Sequence, residues 1–199
     1  MKLRPIHVEV QTRAPLESVW ERTHDPDQHV RWDLRFSRLE YLPRTNELEA
    51  QRFVFTTRIG FGCRIRGEGV FVATKDGVDG SRTTALRFWS TDPRSLVRSG
   101  SGCWRYIPND GGVTFLTRYD YETRFGRLGT LVDRFIFRPL LGWATAWSFD
   151  RLRLWLDRNI RPEVSLWLLL PRASRCRRSP PLHEAPRITR SPGLGHPVR

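Results

Sequence analysis

Lysine is almost absent from this sequence. Lys2 and Lys75 are the only lysines among 34 basic residues, so arginine carries the formal net charge of +13. A lysine-rich nucleic-acid arm is therefore missing, and the arginines are scattered through the elements instead of clustered, which disfavours specific nucleic-acid binding. Cysteine is scarce too. Cys63, Cys103 and Cys176 lie far apart, with no Cys-x-x-Cys pair and no His at metal-ligand spacing, which argues against a disulfide scaffold or a zinc site. No metal or other cofactor is expected. Long apolar runs are also missing. The uncharged stretch Pro139–Phe149 and the run Val164–Leu170 both fall well short of the roughly 20 residues a membrane span needs. The N-terminus has no apolar signal-peptide core, so the expected location is cytoplasmic, with membrane association left to a Trp- and Arg-bearing segment lying on a surface.

What is present suits one ordinary domain. The chain has 199 residues, 39% of them hydrophobic and 12% aromatic, with eight Trp, enough to bury a substantial core. Charge is densest at the end, where residues 161–199 hold eight Arg against Glu163 and Glu184, a net of +6. Charge of this sign favours peripheral contact with an anionic membrane, although a solvated arginine-rich surface is the plainer reading.

Ile6, Val8 and Val10 alternate with polar residues and predict a first strand. Ala14-Pro15 breaks it, and Leu16, Val19 and Trp20 follow at helical spacing. Asp25-Pro26 starts a second short helix ending near Trp32-Asp33, because Asp caps a helix and Pro is tolerated in its first turn. From Phe36 to Glu122, runs rich in Phe, Val, Ile, Thr and Tyr alternate with turn residues, as in an antiparallel meander. Strands are predicted near 37–42, 51–59, 63–73, 83–90, 99–107 and 113–123. Gly67 and Gly69 within one of them suggest a bend or a close approach.

After Gly126 the period becomes helical. Leu128, Leu131, Val132, Phe135, Ile136, Leu140 and Leu141 form a stripe that Trp143, Trp147, Leu152 and Trp155 continue. Pro139 and Gly142 predict a bend between the halves. The helix is expected to reach about Asn159 and to pack on the sheet. From Pro171 on, Pro, Arg, Ser and Gly dominate, and 161–199 read as a basic, disordered tail outside the domain.

One strand, two short helices, six meander strands and a long C-terminal helix is the order of the START-like, or SRPBCC, superfamily. The entry segment adds to the likeness. Ile6-His7-Val8-Glu9-Val10, then Ala14-Pro15-Leu16-Glu17-Ser18-Val19-Trp20, then Asp25-Pro26 and His29-Val30-Arg31-Trp32-Asp33 resembles that of its polyketide cyclase and lipid-transport branch. The resemblance covers residues 3–160. It implies an α+β helix-grip fold, a curved seven-stranded antiparallel sheet wrapped around the long helix, with a cavity between them for an apolar or aromatic molecule. It implies no shared catalytic residues.

Alternation proposes the lining. Phe53, Phe55 and Thr57 share a face, as do Phe115, Thr117, Tyr119 and Tyr121. Arg87 and Trp89 are placed with them, although that strand divides less cleanly, and Trp143 and Trp147 close the cavity from the helix. Trp32 and Asp33, with Arg35 two positions on, are placed at the mouth, where an Asp-to-Arg contact would serve a turn equally well. Core filling is the plainer reading of any single aromatic. His24 and His29 read as solvated turn residues in preference to an acid–base or metal site. The Gly60-Phe61-Gly62 stretch joins strands instead of opening a helix, so it lacks the mechanism of a phosphate loop. The function expected is binding or transport of a lipid-like or polyketide-like molecule. The alternatives are a cyclase or aromatase acting in the same cavity, and a membrane-peripheral module.

Overall fold

A computed structural model describes residues 4–46, 48–59, 62–164 and 175–178. The elements run β1 (Ile6–Thr12), α1 (Leu16–His24), α2 (Pro26–Trp32), β2 (Arg38–Tyr41), β3 (Arg52–Arg58), β4 (Arg64–Asp76), β5 (Arg82–Trp89), β6 (Val97–Asn109) and β7 (Gly112–Thr123). Then come α3 (Gly126–Val132), a π-helical turn (Asp133–Phe137), α4 (Arg138–Arg158) and β8 (Arg175–Arg178). All strand pairs are antiparallel, in the order β2-β3-β4-β5-β6-β7-β1-β8. The seven expected strands are present with their two short helices and long C-terminal helix. β8 pairs with β1 and lies within the stretch read as a tail. The rest of that stretch beyond 164, and most of the Gly60–Gly62 turn, fall outside the described residues.

Local chemistry explains the boundaries. The Asp25 side chain accepts from the backbone N–H groups of Asp27 (2.8 Å) and Gln28 (3.1 Å), and Pro26 takes the first turn of α2, where its missing donor costs nothing. At the β6–β7 hairpin Gly112 has φ +132, and a Cβ there would lie 2.1 Å from the Thr12 carbonyl oxygen. Only glycine fits. The long helix ends at Asn159 in the left-handed conformation (φ 52), a common way of stopping a helix.

The core lies between the inner face of β1, β6 and β7 and the second half of α4. Val8, Val10, Tyr106, Val113 and Phe115 meet Phe149 and Leu152, all buried. Phe149 stacks on Phe115 at 4.6 Å and 9°. Polar clamps fix the helix along its length. Asp157 accepts from the Thr12 hydroxyl (2.5 Å) and the Arg13 backbone (2.9 Å), and Ser148 accepts from the Leu34 N–H (2.9 Å). Arg151 donates to the backbone carbonyls of Arg31 (2.8 Å) and Pro162 (3.1 Å). Thr12, Ser148 and Arg151 are buried, so these bonds satisfy polar groups the core would otherwise strand.

The first half of the long helix behaves differently. The bend expected at Pro139 and Gly142 takes the form of a wide turn just before Pro139, where the Arg138 N–H reaches back five residues to Asp133. The apolar stripe expected to pack on the sheet does not. Leu128, Leu131, Val132, Phe135, Ile136 and Leu140 are exposed, and the buried side of this half carries Gly129 and Asp133. The reason is a polar clamp. Asp133 accepts from the Tyr121 hydroxyl (2.6 Å) and from Arg138 (2.9 Å), whose other nitrogens reach Asp120 at 3.2 Å. Turning Asp133 toward the sheet turns the stripe outward.

His24 ties α1 to the sheet. Its ring stacks on Trp20 at 3.7 Å and meets Trp104 edge-on at 5.5 Å. Burial pushes its pKa down to about 4, so it is neutral in the fold. Because the folded state binds this proton less readily than the unfolded chain, its contribution is complete above pH 6.5 and is lost as pH falls toward 4. Thermal unfolding between pH 7.5 and 4.5 should show that loss, up to about 3 kcal/mol, and His24→Gln should flatten the slope. An unchanged slope would show that another group is responsible.

Candidate functional site

The inner face of the sheet is built from large rings laid over glycines. Phe53 and Phe55 on β3 pair with Gly69 and Gly67 on β4, and Phe88 on β5 pairs with Gly100 on β6. A Cβ at Gly67 would come 2.2 Å from the tip of the Phe55 ring, and one at Gly100 2.4 Å from that of Phe88. Each ring lies across the neighbouring strand instead of standing off the sheet. This is the close approach that glycine within a strand permits.

Tracing this face across the sheet sorts the expected lining residues. Trp32, Phe115 and Thr117 are in the deep core: Trp32 donates to the Arg22 carbonyl (2.8 Å), and the Thr117 hydroxyl donates to Cys103 (3.3 Å). Trp32 is therefore a core residue, not part of a mouth. Phe53, Phe55, Thr57, Tyr119 and Tyr121 share the inner face, with Phe55 and Thr57 half-buried. Trp143 and Trp147 pack on each other from α4 at 4.8 Å, but Trp143 is exposed at the end of the outward apolar row, so it does not close the inner face as expected. Arg87 and Trp89 point the other way. They pair with Val70 and Glu68, opposite the Phe88 and Gly69 side, and Trp89 lines an outer hollow of about 300 Å³ with Arg66 and Glu68. The inward residues of β5 are Thr84, Leu86 and Phe88. On β6, Leu86 and Phe88 pair with Gly102 and Gly100, which carry no side chain to signal the phase.

A buried charged knot stands at the centre. His29 donates from Nδ1 to the Thr23 carbonyl oxygen (2.8 Å) and meets Asp33 at 3.0 Å, and Asp33 takes two bonds from the Arg35 guanidinium at 2.9 and 2.6 Å. His29 and Asp33 are wholly buried, so His29 is not the solvated turn residue expected; the Asp-to-Arg contact offered as the alternative to a mouth role is present, and it is enclosed. Burial alone would raise the Asp33 pKa, but Arg35 outweighs it and holds the carboxyl well below its usual range. Burial likewise opposes the charge on Arg35, and Asp33 prevails, keeping it protonated. Arg35 also lies over the Phe36 ring (5.4 Å) and the Tyr119 ring (5.5 Å). Phe36 meets Phe55 edge-on at 5.3 Å, and the Tyr119 hydroxyl bonds Thr145 of α4 at 2.8 Å. Burial raises the pKa of Tyr119 and of Tyr121, keeping both phenols neutral.

Phe55, Phe36, Arg35, Tyr119 and Thr145 thus form one continuous arc from the half-open β3 side to the helix. Phe36, Phe88 and Thr145 were not singled out by alternation, since Phe36 precedes a strand and Thr145 sits in a helix. One further group bears on the site. The Trp147 indole N–H is enclosed and meets no acceptor among the described residues, which is uncommon for a buried donor. The arrangement can hold an apolar body against rings and glycine backbone, with an arginine and phenols to orient it. No group of three or more metal-ligating side chains occurs among the described residues.

This is the helix-grip fold. Solved structures that share it include a STAR-related lipid transfer protein fragment from Xanthomonas axonopodis, with TM-score 0.58 and 17% identity, covering 77% of this chain and 86% of that one. The di-domain ARO/CYC StfQ of the steffimycin biosynthetic pathway matches with TM-score 0.50 and 14% identity over 74% of this chain and 51% of that one. By sequence, the chain is 47% identical over 164 residues to the uncharacterized membrane protein YndG of Bacillus subtilis (strain 168), which is 82% of this chain. It spans 61% of that relative's length. No protein-family model matches the sequence. Among the described residues no helix is long and apolar enough to cross a membrane.

The knot makes a direct prediction. Arg35→Met should destabilise the protein by about 3 kcal/mol or more, because it leaves Asp33 buried without its main partner. Chemical denaturation would measure this. A change below about 1 kcal/mol would place the pair among weak surface contacts.

Proposed function

We propose that this chain binds a hydrophobic or aromatic small molecule, lipid-like or polyketide-like, on the inner face of its sheet beneath α4. The observation that carries this reading is the half-open arc from Phe55 through Arg35 to Tyr119 and Thr145; on the same helix as Thr145, the enclosed Trp147 N–H meets no acceptor among the described residues. A ligand acceptor would complete that donor, and the rings would supply apolar contact. Structural neighbours named for lipid transfer and for ARO/CYC support the coarse reading of a cavity for apolar molecules.

Native mass spectrometry of the protein purified from its own host tests the proposal, and a retained lipid-like or polyketide-like mass is expected. An empty protein that turns over a polyketide mimic would favour cyclase chemistry instead. Displacement of anilinonaphthalene sulfonate by oleate gives the residue-level test. Trp147→Phe should weaken oleate binding about fivefold to tenfold, the range for losing one hydrogen bond, with little change in melting temperature. Undiminished affinity would remove Trp147 from the site.

A further inference from the structure

From the exposed face of the first half of the long helix, we propose that this face is a docking surface for an anionic lipid bilayer, laid down with its axis in the membrane plane. Leu128, Leu131, Phe135, Ile136 and Leu140 are each more than half exposed, and Trp143 is 38% exposed at the end of the row. A monomeric soluble protein rarely presents so continuous an apolar row. It occupies one helical stripe, because the opposite side, with Gly129 and Asp133, is held to the sheet by Tyr121 and Arg138.

Charge selects the occupant. The one acid of the segment, Asp133, is buried and engaged, so its exposed charges are Arg127 and Arg134 alone, the latter beside the Phe135 ring at 5.3 Å. The helix start is tied to an arginine-rich end of the sheet. The Arg124 N–H bonds the Leu96 carbonyl (2.8 Å), and from the same loop Arg94 bonds the Arg64 carbonyl (3.0 Å). There Arg58 and Arg64 are direct cross-strand partners and line a hollow with Arg38, Arg66 and Arg94 around one acid, Asp92, so like charges are juxtaposed in excess of their counter-charge. An apolar row whose own exposed charges are both arginines, tied to a sheet end where arginines outnumber acids, fits the headgroup boundary of an anionic leaflet. A second copy of this chain would set Arg127 and Arg134 against their own kind in a protein of net charge +13.

Co-sedimentation of the full chain with phosphatidylcholine vesicles, with and without phosphatidylglycerol, tests this. Binding should be about tenfold or more tighter to the anionic vesicles and should weaken in high salt. The double substitution Leu131→Glu with Phe135→Glu, which leaves the arginine-rich C-terminal segment and the ligand site untouched, should weaken it by about tenfold or more. Amide hydrogen exchange of the unaltered protein supplies a check independent of the variant, with vesicle-induced protection expected across 126–143. Equal binding to neutral vesicles, binding indifferent to the substitutions, or protection elsewhere alone would overturn the proposal. So would a dimer that Phe135→Glu dissociates while vesicles remain unbound. Oleate affinity is measured separately, so loss of either function is distinguishable from loss of the other.

Discussion

Phe149 lying flat on Phe115 fixes where the long helix meets the sheet, and much of the remaining architecture depends on that contact. Both rings are wholly buried. Truncating either to alanine would cost about 3–5 kcal/mol. With the helix seated there, its second half covers β1 and the neighbouring strands, and its polar residues fall opposite fixed partners: Thr145 at Tyr119, Ser148 at Leu34 and Asp157 at Thr12. The β3 side of the inner face is left only partly covered, which is why Phe55 and Thr57 remain half-buried.

The same placement divides the helix into two chemically distinct parts. From Thr145 to Leu152 every residue is buried, Asp150 and Arg151 included. Before Pro139 it meets the sheet through the Tyr121–Asp133–Arg138–Asp120 chain instead of through its apolar stripe. Burying a carboxylate is unfavourable unless it is paired and hydrogen-bonded. Asp133 has both kinds of partner, so its side of the helix is the one held inward. The outward stripe follows from that.

Much of the fold was legible residue by residue. The alternation of Ile6, Val8 and Val10, the Asp25-Pro26 cap and the β-rich runs after Phe36 mark elements whose signals are local, and the resemblance of the entry segment names their arrangement. The candidate site was legible in part. Phe53, Phe55, Tyr119 and Tyr121 keep the expected phase because their strands alternate cleanly. Arg87 and Trp89 do not, since the phase of β5 is set by pairing with Gly100 and Gly102, whose contribution to the inner face is an absence of side chain. The His29–Asp33–Arg35 knot reads locally as a polar turn because nothing near it in sequence indicates that α4 will cover it.

By itself, then, the sequence determined the succession of elements, the caps and turns, the absence of an apolar span and the excess of arginine, all properties of neighbours along the chain. Tertiary structure alone decided which face of the long helix looks outward, which side of β5 looks inward and whether Asp33 is solvated. Each of these depends on a partner far away in sequence: Tyr121 for Asp133, Gly100 for Phe88, and Ser148 beside Leu34 for the burial of the knot. Periodicity establishes that a helix or strand has two sides, but the choice between them rests on the free energy of pairing buried charge and packing rings, which exists only once the distant elements meet.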